Sequence, residues 1–174
     1  MVGSVGVELN QSMDYDLDLV LDLQVELSQS TDADLPVQAE LEQWVKAALE
    51  GTMDEAELTI RLVENGESAA LNQQYRDKPG PTNVLSFPFE APADVPLPLL
   101  GDIIICAPLV VQEAQAQGKT VRAHWAHLVV HGVLHLRGYD HTDDGEAREM
   151  EDLERKIMAY LEFDDPYMSD SVTP

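Results

Sequence analysis

One α/β domain is what this sequence predicts, and three observations carry the prediction. Short segments with apolar residues at every second position are interspersed with longer segments at helical spacing. The 174 residues suit one domain, which commonly runs to roughly 100–200 residues, and no internal repeat or inter-domain linker interrupts them. Hydrophobic residues make up 44% of the chain, enough to bury a core around those segments.

Residues 1–16 are polar and weakly periodic and read as a flexible tail. Asp16 to Val25 (D-L-D-L-V-L-D-L-Q-V) alternates and predicts a first strand with one buried face. Thr31 to Pro36 reads as a turn, and Pro36 opens a helix to about Glu50 with Leu41, Trp44, Val45, Ala48 and Leu49 on one stripe. Glu57 to Val63 predicts a second strand; Asn65-Gly66 then turns the chain, and Ser68 caps a short helix through about Tyr75. Asp77 to Thr82, with two prolines and a glycine, is a loop before a brief strand at Val84 to Phe87. Pro88, Pro92, Pro96 and Pro98 mark a surface loop, and Leu100 to Cys106 is a fourth strand, apolar enough to be central or covered on both faces.

The remainder is helical. Pro108 opens a helix that Gly118 ends, and Thr120 begins another that reaches Arg137 and ends at Gly138. Asp143 or Asp144 caps a last helix to roughly Leu161, with an apolar stripe at Met150, Leu153, Ile157 and Leu161. The domain therefore reads as residues 17–162, followed by a flexible tail over 163–174.

A formal net charge of -23 repels polyanions, so a nucleic-acid partner would approach against the average field. Cys106 is the single cysteine, which rules out an intrachain disulfide. No apolar run approaches the roughly 20 residues that span a bilayer, and the N-terminus is punctuated by Asp14, Asp16, Asp18 and Asp22 rather than built as a leader. A soluble cytoplasmic protein without a membrane partner is the expectation.

Three of the five histidines fall in H-G-V-L-H-L-R-G-Y-D-H, at His131, His135 and His141. Residues four apart on a helix share a face, about 6 Å along the axis, so two imidazoles can converge on one ion. Gly138 breaks the helix, and the following turn can fold His141 back to the same ion. Three histidines leave a tetrahedral zinc with an open position, the catalytic pattern, where a bound water has its pKa lowered towards about 7. His124 and His127 share the same stripe, but His127 lies about 12 Å along the axis from His135, too far to reach an ion at the helix end. A metal-supporting, substrate-facing or simply buried role fits both better. The metzincin protease motif places histidines and glycine identically but needs a glutamate after the first histidine as general base. Here that residue is Gly132.

His124 to His141 (H-W-A-H-L-V-V-H-G-V-L-H-L-R-G-Y-D-H) resembles the signature of the YbeY family of bacterial endoribonucleases. Leu71 to Phe87 (L-N-Q-Q-Y-R-D-K-P-G-P-T-N-V-L-S-F) is similar to the family's second block and Leu100 to Cys106 to its third, so the likeness spans roughly residues 17–162. The resemblance implies a zincin-like fold: a small mixed four-stranded sheet, about five helices, and a metal at the end of a central helix. It implies one zinc per chain on His131, His135 and His141, with Arg76 and His131 as catalytic residues and Arg76 holding the scissile phosphate. It further implies metal-dependent cleavage of single-stranded RNA in maturation of the 3′ end of 16S ribosomal RNA, and ribosome quality control. Implied partners are ribosomal RNA, the small ribosomal subunit, and ribosomal or GTPase assembly proteins; a monomer is expected. Lys78 and His127 are candidate substrate contacts, and Asp140 is a candidate to orient a histidine or relay a proton. The chain departs from the family pattern at the extra glycine of K-P-G-P-T and in its longer acidic N-terminus.

Two further classes compete with the nuclease: a zinc peptidase-like hydrolase, weakened by Gly132, and a non-catalytic ribosome-assembly factor with a structural zinc. The attacking oxygen is either that of a zinc-activated water or the RNA's own 2′-hydroxyl. Of ten basic residues, Arg76, Lys78, Arg122 and Arg137 lie in or near the motifs, which predicts a local basic cleft in an acidic body.

Overall fold

The computed structural model describes residues 17–28, 35–90, 97–140 and 143–167. The tail expected over 1–16, most of the turn before Pro36, Pro92, Pro96, His141 and residues 168–174 lie outside that description. Strands β1 (Asp18–Val25), β2 (Glu55–Val63), β3 (Val84–Pro88) and β4 (Leu99–Cys106) form one sheet in the order β1-β2-β4-β3. β1 and β4 run parallel to β2 and β3 runs antiparallel to β4, so the sheet is mixed. Among the described residues the helices are α1 (Gln38–Leu49), α2 (Asn65–Arg76), α3 (Ala107–Gln117), α4 (Val121–Leu136) and α5 (Asp144–Tyr160). None is long and apolar enough to cross a membrane.

The apolar periods end up where they point. Alternation in β2 buries Ala56, Leu58, Ile60 and Leu62 on one face. α4 is apolar over most of its circumference and correspondingly central, in contact with α1, α3, α5, β3 and β4. The Thr120 hydroxyl caps it by accepting from the Ala123 N–H at 3.1 Å. Gly138, at φ +103, ends it in a conformation that L side chains rarely adopt. His131 and His135 thus project from a helix packed on several sides by other elements.

Two elements differ from the expectation. Asn65 and Gly66 form no turn; they open α2, with Glu64 at its N-cap position. Ser68 caps nothing: its buried hydroxyl donates to the Thr82 carbonyl at 2.7 Å and accepts from the Thr82 N–H at 2.9 Å, a partner supplied by the loop after the helix. The packed chain also continues past residue 162 to Tyr167. Phe163 meets Trp44 edge-on with ring centroids 6.3 Å apart, and Lys119 Nζ donates to the Pro166 carbonyl at 2.7 Å. Sequence periodicity carries no trace of such partners, because they come from other elements.

Gly101 sits where β4 passes β3 at φ +138, and a Cβ built on it would lie 2.2 Å from the Phe87 carbonyl oxygen. Strained backbone and overlap with main chain add, so Gly101→Ala is expected to cost about 2–6 kcal/mol. Thermal melting by circular dichroism reads this as a drop on the order of 10 °C; an unchanged Tm would show that β3 can move aside.

Candidate metal centre

His131 and His135 lie one turn apart near the C-terminal end of α4, with their Nε2 atoms 3.1 Å apart. Each ring's other nitrogen is committed. His135 Nδ1 lies 2.9 Å from the Tyr139 carbonyl oxygen, which can only accept, so Nδ1 carries the proton. His131 Nδ1 lies 2.8 Å from an oxygen of Glu154, whose carboxylate is held ionised and so accepts, which puts a proton on this Nδ1 too. In neutral rings this leaves two lone pairs facing each other across 3.1 Å with no hydrogen between them. A cation resolves that arrangement: nitrogens each about 2.0–2.1 Å from a tetrahedral zinc stand about 3.3 Å apart. Residues His131 and His135 therefore fit a metal ion, and the third histidine of the motif, His141, lies outside the described residues.

Glu154 is the support beneath this pair. It is fully buried on α5 and accepts from His131 Nδ1, from His127 Nε2 at 2.6 Å and from the Tyr167 hydroxyl at 2.5 Å. Burial alone would raise its pKa, but the hydrogen bonds from the two imidazoles hold it at about 2. Burial and the neighbouring carboxylate push the Tyr167 phenol up, so it stays a donor. Ligand atoms of His127, His131 and Glu154 also lie within 4.8 Å of one another, a group that could hold a metal ion itself. Its N···O spacings of 2.6 and 2.8 Å are those of N–H···O bonds, shorter than the roughly 3.3 Å between ligands of one tetrahedral zinc. Protons join this trio; it orients His131 from behind.

His131 and His135 open onto a cleft of about 740 Å³ that Arg76, Ser86, Tyr139 and Asp140 also line. Arg76 arrives there as the last residue of α2. The loop after it folds back, with Asn72 Nδ2 donating to the Gly80 carbonyl at 2.9 Å, so the additional glycine is absorbed into a pinned turn. Asp140 is exposed on the rim. The structure does not bring Lys78 or His127 to this cleft: Lys78 is exposed on the loop, and His127 lies behind His131 with its Nε2 on Glu154. Nor is there a cleft of four basic residues. Arg137 donates to the Ala48 carbonyl at 2.9 Å and lies over the Tyr139 ring, while Arg122 pairs with Glu40. Arg76 is the basic residue among those lining it.

Gly132 has a packing reason. A Cβ there would meet Ile103 at 3.0 Å and Ser86 Oγ at 3.3 Å, so position 132 points into the sheet, where a glutamate has no room. His124 is a buried structural histidine paired with Glu113 at 2.8 Å, its pKa lowered by burial. Glu154 and Tyr167 escaped sequence reasoning. The signal for Glu154 was present: it stands between Met150 and Ile157 in the apolar stripe of α5, where a carboxylate needs a buried partner.

The solution structure of TM1509 from Thermotoga maritima is similar in fold, with a TM-score of 0.53 at 24% identity, covering 85% of this chain and 99% of that one. A family model described as Endoribonuclease YbeY matches residues 24–162, a span that holds α4, the cleft and Glu154. With most of its length matched, the chain belongs to the YbeY family of endoribonucleases.

Proposed function

We propose that this chain is a zinc-dependent, single-strand-specific endoribonuclease that matures the 3′ end of 16S ribosomal RNA and acts in ribosome quality control. The observation that supports it is the cleft in which Arg76 shares walls with the facing nitrogens of His131 and His135. One zinc would be held by His131, His135 and His141. When bound, zinc supplies Lewis acidity, polarising a phosphoryl oxygen and lowering the pKa of water towards about 7. Arg76 offers paired N–H donors to the scissile phosphate and stabilises charge as the bond to the leaving oxygen breaks. Glu154 and the Tyr139 carbonyl fix the two imidazoles, and Asp140 on the rim relays the proton lost by the attacking oxygen to the leaving oxygen. Lys78 follows the RNA backbone outside the cleft, and His127 acts through Glu154.

In this reading the reaction takes place in the cytoplasm, on a monomer, at the small ribosomal subunit. With net charge -23 and Arg76 the one lysine or arginine lining the cleft among the described residues, unaided RNA affinity is weak, and a ribosomal or GTPase assembly partner positions the substrate.

Zinc-loaded protein incubated with single-stranded RNA, duplex RNA and casein tests this. Cleavage of the single strand alone is expected, abolished by chelation. Arg76→Ala should lower the rate about 10²–10³-fold at unchanged zinc content. Casein hydrolysis without RNA cleavage would overturn the reading. Product ends identify the attacking oxygen: a 2′,3′-cyclic phosphate marks the RNA's own 2′-hydroxyl.

A further inference from the structure

Tyr75 precedes Arg76 on the last turn of α2, is 58% exposed, and lines the cleft with His131 and His135. Its ring meets that of Phe87 on β3 at a centroid distance of 4.9 Å and an interplanar angle of 65°. Phe87 rests on the small apolar cluster of Val63, Leu85 and Ile104, so the pair is anchored to the sheet from one side only. At that angle the two rings do not stack face to face on one another, and Tyr75 is the more exposed of the pair. An anchored aromatic that keeps most of its surface in solvent, beside a guanidinium and a cation site, offers a flat apolar surface within reach of a phosphodiester.

We propose that Tyr75, braced against Phe87, is a platform on which one nucleobase of the RNA stacks beside the phosphate held by Arg76. This rests on the endoribonuclease reading and deepens it by naming what recognises a single strand. A cleft of about 740 Å³ exceeds what a phosphate alone fills and lies within the range of roughly 300–1,000 Å³ that takes larger organic ligands. Arg76 is the basic residue among those lining the cleft, so counterion release there contributes little and contact with a base adds to the weak affinity the chain has by itself. In a duplex both faces of each base are occupied by its neighbours, and only an unstacked nucleotide can present one to Tyr75. Every base has such a face, so the platform selects strandedness without selecting sequence.

The test uses the zinc-loaded full chain and a labelled single-stranded RNA, intact or carrying one abasic nucleotide at each position in turn. Tyr75→Ala is expected to raise KM for intact RNA roughly 5- to 150-fold. Tyr75→Trp should restore it, and Tyr75→Leu, which keeps bulk without a π face, should not. Wild-type protein should show the same rise in KM at one abasic position, and there Tyr75→Ala should add nothing. If wild type cleaves every abasic substrate with unchanged KM, or Tyr75→Leu matches wild type, the platform is wrong while the nuclease reading stands. A wild-type protein that neither binds nor cleaves RNA overturns both. The abasic series keeps the outcome decisive even if a Tyr75 variant misfolds.

Discussion

A His135→Ala protein is expected to bind no zinc and to lose RNA cleavage together, if the proposed site is the one that holds the ion. Metal analysis should fall from about one ion per chain to near none, and the cleavage rate by at least about 10³-fold. Removing a residue that merely orients a ligand costs 10–100-fold, and removing the ligand itself exceeds that. The geometric reason is the pair of Nε2 atoms 3.1 Å apart, each with its Nδ1 proton already donated elsewhere. His131→Ala should behave alike. His124→Ala makes the informative contrast: that ring is buried against Glu113 and should cost stability while leaving zinc in place. Zinc should also raise the Tm of wild type, since at a thousandfold excess over Kd a ligand adds about 4 kcal/mol to folding. Full zinc content in His135→Ala would sink the assignment of the site.

Glu154→Ala should damage the fold more than any surface change. It would leave the His127 and His131 N–H groups and the Tyr167 hydroxyl without their acceptor in a buried site. Leaving a buried donor without its acceptor costs about 1–3 kcal/mol each, together a Tm drop on the order of 10 °C for a chain of this size. Glu154→Gln separates support from stability. It keeps the shape but offers one carbonyl oxygen where two oxygens accepted, so zinc affinity should weaken roughly 10–100-fold in a protein that still folds. Competition with a chromogenic chelator measures that shift. Unchanged zinc affinity in Glu154→Gln would reduce the carboxylate to a packing element.

Much of the fold was legible because its elements obey local rules. The β2 alternation, the glycine stops after α3 and α4, and the Thr120 and Asp143 caps act within a few residues, so periodicity and turn chemistry report them. Where a tertiary partner overrode local preference, the reading slipped. Ser68 looked like a cap and instead binds Thr82, and residues 163–167 looked like a tail and instead supply Phe163 and Tyr167 to the domain. Arg122 and Arg137 looked available for RNA and are occupied by Glu40 and the Ala48 carbonyl.

By itself the sequence determined the two convergent imidazoles, since a four-residue spacing on a helix is a geometric statement, and it determined the absence of a peptidase's glutamate at Gly132. Only the tertiary structure decided that Arg76, more than fifty residues upstream, shares a cleft with them. It alone placed Glu154 and Tyr167 beneath His131 and packed position 132 against Ile103. The division has a physical cause: a helix sets the distance between its own side chains, whereas the neighbours that fix their protons and face their substrate come from segments whose approach depends on the whole core.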